Sequence, residues 1–149
     1  MIDHVKTTLI ALVLVGWAGL GLLWPALTYG QSTSRDVTVT VVAEPFIGSD
    51  VLVYRWKGEV YRSCPIGLRR QIIDSQGVVT TLVALEFGAL PPDELGELDY
   101  EIRVTMPEHV AEGPAIYQAT EVPKCSWMQE RWTRGHPYPP VEFVITRAP

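Results

Sequence analysis

Asparagine is absent from the 149 residues, so no Asn-x-Ser/Thr acceptor exists and N-glycosylation is excluded. Cysteine is nearly absent: Cys64 and Cys125 stand alone, too few for a four-thiol zinc site or a disulfide-dense scaffold. The three histidines, His4, His109 and His136, have no i, i+4 partner, which removes the helical zinc pair. No Gly-x-Ser-x-Gly occurs, so the serine nucleophile elbow is missing. Repeats and low-complexity tracts are missing too. The most informative absence is of charge: between Lys6 and Arg35 no side chain is charged.

The centre of that gap, Thr7 to Tyr29, is almost wholly apolar. Its length as a helix is roughly 34 Å, against a hydrocarbon core of about 30 Å. Trp24 and Tyr29 fall near its outer end, where amphipathic aromatics settle at headgroup level. The run reads as a retained transmembrane helix, with residues 1–6 as a short flank. A cleaved signal peptide is the alternative, with Leu9 to Leu23 as its apolar centre and a cut near Gly30. Lys6 and Arg35 orient the chain weakly. Two thiols, both downstream of a signal-like start, read as one disulfide formed outside the reducing cytoplasm. The expected topology is a single-pass protein with a cytoplasmic N-terminus and a periplasmic or extracellular C-terminal part.

Downstream, residues 30–36 form a short polar tether and residues 37–149 have the size of one domain. Apolar residues there alternate with period two: Val37 to Val42, Val51 to Trp56, Glu59 to Arg62, Arg69 to Asp74, Val78 to Phe87, Leu98 to Met106, Ala115 to Val122 and Val141 to Thr146. Lys57-Gly58 separates the second from the third as a turn. Twelve prolines and twelve glycines punctuate short segments, and no convincing 3.6 period follows residue 30. The expected fold class is all-β, an antiparallel sandwich of seven or eight strands preceded by the membrane helix.

Ile102 to Pro107, the turn at Glu112-Gly113 and Pro114 to Tyr117 resemble the corner between the fifth and sixth strands of immunoglobulin-like domains. The resemblance implies an immunoglobulin-like sandwich in which Tyr117 returns its hydroxyl to the backbone. Cys125 follows Tyr117 by eight positions where that pattern has two. The disulfide is therefore expected to tie the loop Ser63-Cys64-Pro65 to the loop opening at Lys124-Cys125, outside the core.

Chemistry-bearing groups are few. Cys64 with His109 or His136 as base makes a poor nucleophile in an exported, disulfide-forming domain. From Glu86 to Glu112 eight carboxylates face Arg103, and Asp93, Glu94, Glu97 and Asp99 crowd into a weak calcium candidate whose bland reading is a solvated strand face. A glycosidase-type acid and base cannot be picked from that cluster. Arg55, Lys57, Arg62, Arg69 and Arg70 form a basic stretch suited to phospholipid or to the acidic segment of another copy. From residue 31 onward eleven basic residues meet sixteen acidic ones, which argues against nucleic acid.

The loop after Cys125 carries Trp127, Met128, Arg131, Trp132, Arg134 and Tyr138, the composition of a binding hot spot and equally of a flap folded over a thin core. These observations together suggest a membrane-anchored, non-catalytic binding or assembly module on the outer side of a bacterial or phage-encoded membrane. Its partners would be membrane lipid through Thr7 to Tyr29 and a protein or second copy at the surface, with no nucleic acid and no cofactor. A secreted or virion-surface structural protein with its signal removed is the alternative, and an enzyme is not expected.

Overall fold

The computed structural model describes Trp17, residues 30–45 and residues 51–146. Apart from Trp17, the apolar run Thr7 to Tyr29 lies outside the described residues. Among those described, no helix is long and apolar enough to cross a membrane.

Among the described residues, eight strands form two antiparallel sheets. The first has the order β1 (Ser34–Ala43), β2 (Val51–Val60), β5 (Gly96–Thr105). The second runs β4 (Val79–Phe87), β3 (Ile66–Ile73), β6 (Gly113–Pro123), with β7 (His136–Pro137) and β8 (Val141–Ile145) both on the far edge of β6. A 3-10 turn, Pro92–Glu94, precedes β5, and a five-residue helix α1 (Trp127–Arg131) follows β6. The period-two pattern decides which faces meet, because alternate residues of a strand point to opposite sides. Leu52, Tyr54 and Trp56 of β2 and Val104 of β5 are buried against Leu68 and Ile72 of β3, Ala115, Tyr117 and Ala119 of β6, and Val141, Phe143 and Ile145 of β8.

Three expectations need correction here. The break expected at Lys57-Gly58 does not occur, and β2 runs unbroken to Val60, paired with β5 residue for residue. Gly58 points inward, and a Cβ there would come within 2.9 Å of the Trp56 ring. The glycine therefore makes room for an indole lying along the strand rather than for a turn. The polar stretch 30–36 is likewise no free tether: β1 begins at Ser34, inside it, and Thr33 and Ser34 are buried. A register shift follows between Arg35 and Thr38, where Asp36 adopts φ 53°, a left-handed conformation that Asp tolerates better than most residues.

Tyr117 is the third. Its hydroxyl lies 3.0 Å from that of Tyr54 on the opposite sheet, with ring centroids 5.0 Å apart. Two buried phenols thus satisfy each other across the core. Burial pushes both pKa values up, which keeps the pair neutral.

Cys64 and Cys125 are bonded, their Cα atoms 5.0 Å apart. The bridge sits one step beyond the paired ends of β3 and β6, where Ile66 faces Pro123 and the Lys124 amide donates to the Pro65 carbonyl at 2.9 Å. It closes a loop of sequence separation 61. Chain entropy alone then assigns it roughly 4 kcal/mol. Cys64→Ala with Cys125→Ala should lower the urea-unfolding free energy by about 2–4 kcal/mol, and mass spectra of the wild type should gain free thiols only after reduction. Gly58→Val should destabilise by about 1–3 kcal/mol through displacement of Trp56, read as a lower urea midpoint with an unchanged slope.

Candidate functional site

Glu121 organises the end of the domain at which the disulfide lies. On β6 it shares the inward parity of Ala115, Tyr117 and Ala119, and it is 0% exposed. A buried carboxylate persists only when its oxygens are matched by donors. Oε1 accepts from the Thr33 amide and the Thr33 hydroxyl, both at 2.6 Å. Oε2 accepts from Ser34 Oγ at 2.6 Å, Tyr138 Oη at 2.8 Å and Ser32 Oγ at 3.1 Å. Burial pushes the carboxyl up, but the bonds from Ser34, Thr33 and Tyr138 outweigh it and hold the group below its usual range. Tyr138 moves the other way, raised by burial and by the adjacent carboxylate charge.

Next to this clasp stands α1. Ser126 caps it, accepting from the Gln129 amide at 3.4 Å. Gln129, 2% exposed, accepts the Cys125 amide at 3.0 Å and donates to the Gln31 carbonyl at 3.5 Å. The inner side of α1 is thereby pinned to the disulfide and to the entering chain. Its outer side carries Trp127 and Trp132, 54% and 51% exposed, with ring centroids 5.9 Å apart and the Arg131 guanidinium 5.8 Å over Trp132. Arg134 is exposed and lies against Gly30, within 3.1 Å of where a Cβ would stand. The aromatic surface therefore adjoins the point at which the run Thr7 to Tyr29 meets the described fold.

The loop residues expected to act together are split. Trp127, Arg131, Trp132 and Arg134 gather on the surface, Met128 is half-buried, and Tyr138 turns inward to Glu121 and packs 6.1 Å from Trp56. Tyr138 thus folds back over the core, while Trp127, Arg131, Trp132 and Arg134 are presented outward.

The calcium candidate is not assembled. Asp93 and Glu94 lie exposed in the 3-10 turn, whereas Glu97 and Asp99 alternate on the outer face of β5, where Asp99 pairs with Arg55 at 3.5 Å. Among the described residues no three of His, Cys, Asp and Glu come together as metal ligands. The basic stretch also disperses: Arg55 pairs with Asp99 and Glu101, Arg70 donates to the Val83 carbonyl, and Arg62 turns inward. Inward parity along the strand was the signal that could have found Glu121 from sequence.

No family model matches the sequence, and no curated protein does. Among solved structures, the chain is similar to the Pseudomonas fluorescens alkylpurine DNA glycosylase AlkC bound to DNA containing an abasic site analog. The match has 15% identity and a TM-score of 0.45, and covers 83% of this chain and 33% of the other. The chain thus spans about a third of that protein's length. That protein is an enzyme bound to DNA, which runs against the expectation of a chain that is no enzyme and has no nucleic-acid partner. A likeness this distant transfers neither activity nor ligand to this chain.

Glu121 generates a pH prediction. Its folded pKa lies below the ordinary 4.5, so its contribution is complete above that value and is lost as pH falls through the folded pKa. Asp74 and Glu59 are depressed as well, Asp74 chiefly by amide bonds from Ala111 and Val78, so the diagnostic is a difference between proteins. Glu121→Gln should cost about 1–3 kcal/mol at neutral pH, because its amide cannot accept from all the donors. Its stability should also fall less steeply than the wild type's when urea unfolding is repeated below pH 4.5.

Proposed function

We propose that this chain is a membrane-anchored binding module, an immunoglobulin-like sandwich displayed on the outer face of a bacterial or phage-encoded membrane. Its contact face would be the surface of Trp127, Arg131, Trp132 and Arg134. The strand order supports the immunoglobulin-like part. β1-β2-β5 opposite β4-β3-β6-β8 matches first, second and fifth strands facing third, sixth and seventh, with β4 beside β3 as the extra strand of variable-type domains stands.

One observation carries the functional reading. The exposed, Arg-covered tryptophan pair adjoins Gly30 and Gln31, where an uncharged run long enough to span a bilayer joins the domain. Tryptophan and arginine are the side chains favoured at the boundary of hydrocarbon and headgroup, the one amphipathic and the other able to pair with phosphate. A contact face at this end would lie within reach of that boundary. The disulfide and Gln129 hold α1 in place beforehand, which lowers the ordering cost of any contact.

Two measurements test the reading. The membrane fraction of cells making the protein should contain the chain with residues 7–29 intact by mass spectrometry; a soluble exported form beginning near Gln31 would overturn the anchor and favour the secreted structural alternative. With the full chain in vesicles of lipid brominated near the headgroup end of the acyl chains, wild-type tryptophan emission should be quenched more than that of Trp127→Ala with Trp132→Ala. Equal quenching would return the pair to a purely structural role.

A further inference from the structure

Between the two sheets, at the same end of the sandwich, an apolar cavity of about 250 Å³ remains. Its walls include Val60 of β2, Leu68 of β3, and Leu98 and Ile102 of β5. Phe87 and Tyr100, 47% and 46% exposed, line it as well and bring it to the surface. An apolar hollow accepts apolar guests; an enclosed one of about 150 Å³ holds benzene.

Among the polar side chains that line it, Arg62 and Trp56 carry buried N–H groups without a partner. Arg62 continues the inward parity of Leu52, Tyr54, Trp56 and Gly58 beyond the end of β2, and its Nη1 is buried without a hydrogen-bond partner. Trp56 Nε1 is buried without one too. A guanidinium cannot shed its proton, so a buried, unmatched N–H on it calls for an acceptor. Carboxylate, phosphate and sulfonate oxygens are the acceptors its planar fork fits best. Water would satisfy the donor but not fill an apolar space of this size.

We propose that this cavity binds a single-chain anionic amphiphile, its alkyl tail between the sheets and its anionic head on Arg62. The site is distinct from the tryptophan face on α1 and does not depend on it. Nothing covalent is required: the tail displaces no protein group, and the head supplies the acceptor that Arg62 and Trp56 lack. The same chemistry has two sources, a free alkyl carboxylate and one chain of an anionic membrane lipid.

The test uses the full chain in phosphatidylcholine nanodiscs, titrated calorimetrically with octanoate against empty nanodiscs. Saturable one-to-one binding is expected. Arg62→Gln should weaken octanoate about tenfold or more and leave the uncharged 1-octanol within threefold, while Leu98→Trp, which fills the cavity, should abolish both. If Leu98→Trp lowers the melting temperature sharply, Val60→Phe takes its place. Replacing the lipid with phosphatidylglycerol separates the sources: native mass spectra retaining one phosphatidylglycerol, together with loss of octanoate binding, assign the lipid, and unchanged octanoate binding assigns the free acid. Octanoate heats equal to those of empty nanodiscs, or an octanoate affinity indifferent to Arg62→Gln, would overturn the proposal.

Discussion

A carboxylate sealed from water must find every hydrogen bond it needs inside the protein, and Glu121 finds its partners in two places. One is the entering segment Ser32-Thr33-Ser34; the other is Tyr138, beyond the second sheet's central strand. Because β1 belongs to one sheet and β6 to the other, the clasp closes the sandwich at this end as a polar counterpart of the Tyr54–Tyr117 contact further in. It also explains why the stretch after Gly30 is ordered although it is all polar: its hydroxyls and amide are the counter-ligands of a buried charge.

What surrounds the clasp inherits its rigidity. The disulfide holds the start of β3 to the end of β6, and Gln129 ties α1 both to Cys125 and to the entering chain. A helix of five residues has little stability of its own; here the bridge and one buried amide side chain supply it. The outcome is a fixed end that presents two tryptophans outward and keeps an apolar hollow between the sheets within. The opposite end is organised more simply, by Asp74 accepting the amides of Gln76, Val78 and Ala111.

Much of this was legible before any coordinates. Strand positions followed from alternation, since burial of one face forces a period of two, and the disulfide pairing followed because two thiols allow only one bridge within the chain. The errors share a cause. Gly58 was read as a turn because local rules assign glycine to turns, whereas its use is set by an indole two residues away on the same face. Asp93, Glu94, Glu97 and Asp99 were grouped because they are near in sequence, but the first two lie in the 3-10 turn, the other two on the outer face of β5, and Arg55 on the adjacent strand claims Asp99. Glu121 was passed over and Arg62 was placed in an outward basic stretch, although both sit at inward positions of strands read as half-buried; a charge at such a position is the sequence trace of a buried polar site.

Sequence by itself determined the long uncharged run, the all-β character and the two thiols available for a bridge. Each of these depends only on composition and short-range spacing, which the chain carries whatever its fold. Tertiary structure alone decided that the polar tether is a counter-ligand, that the aromatic loop divides into an outward pair and an inward tyrosine, and that Arg62 faces an apolar hollow. Those outcomes depend on which distant segments meet, and meeting is settled by the packing of two sheets and the need of each buried polar group for a partner, not by any residue's neighbours in the chain.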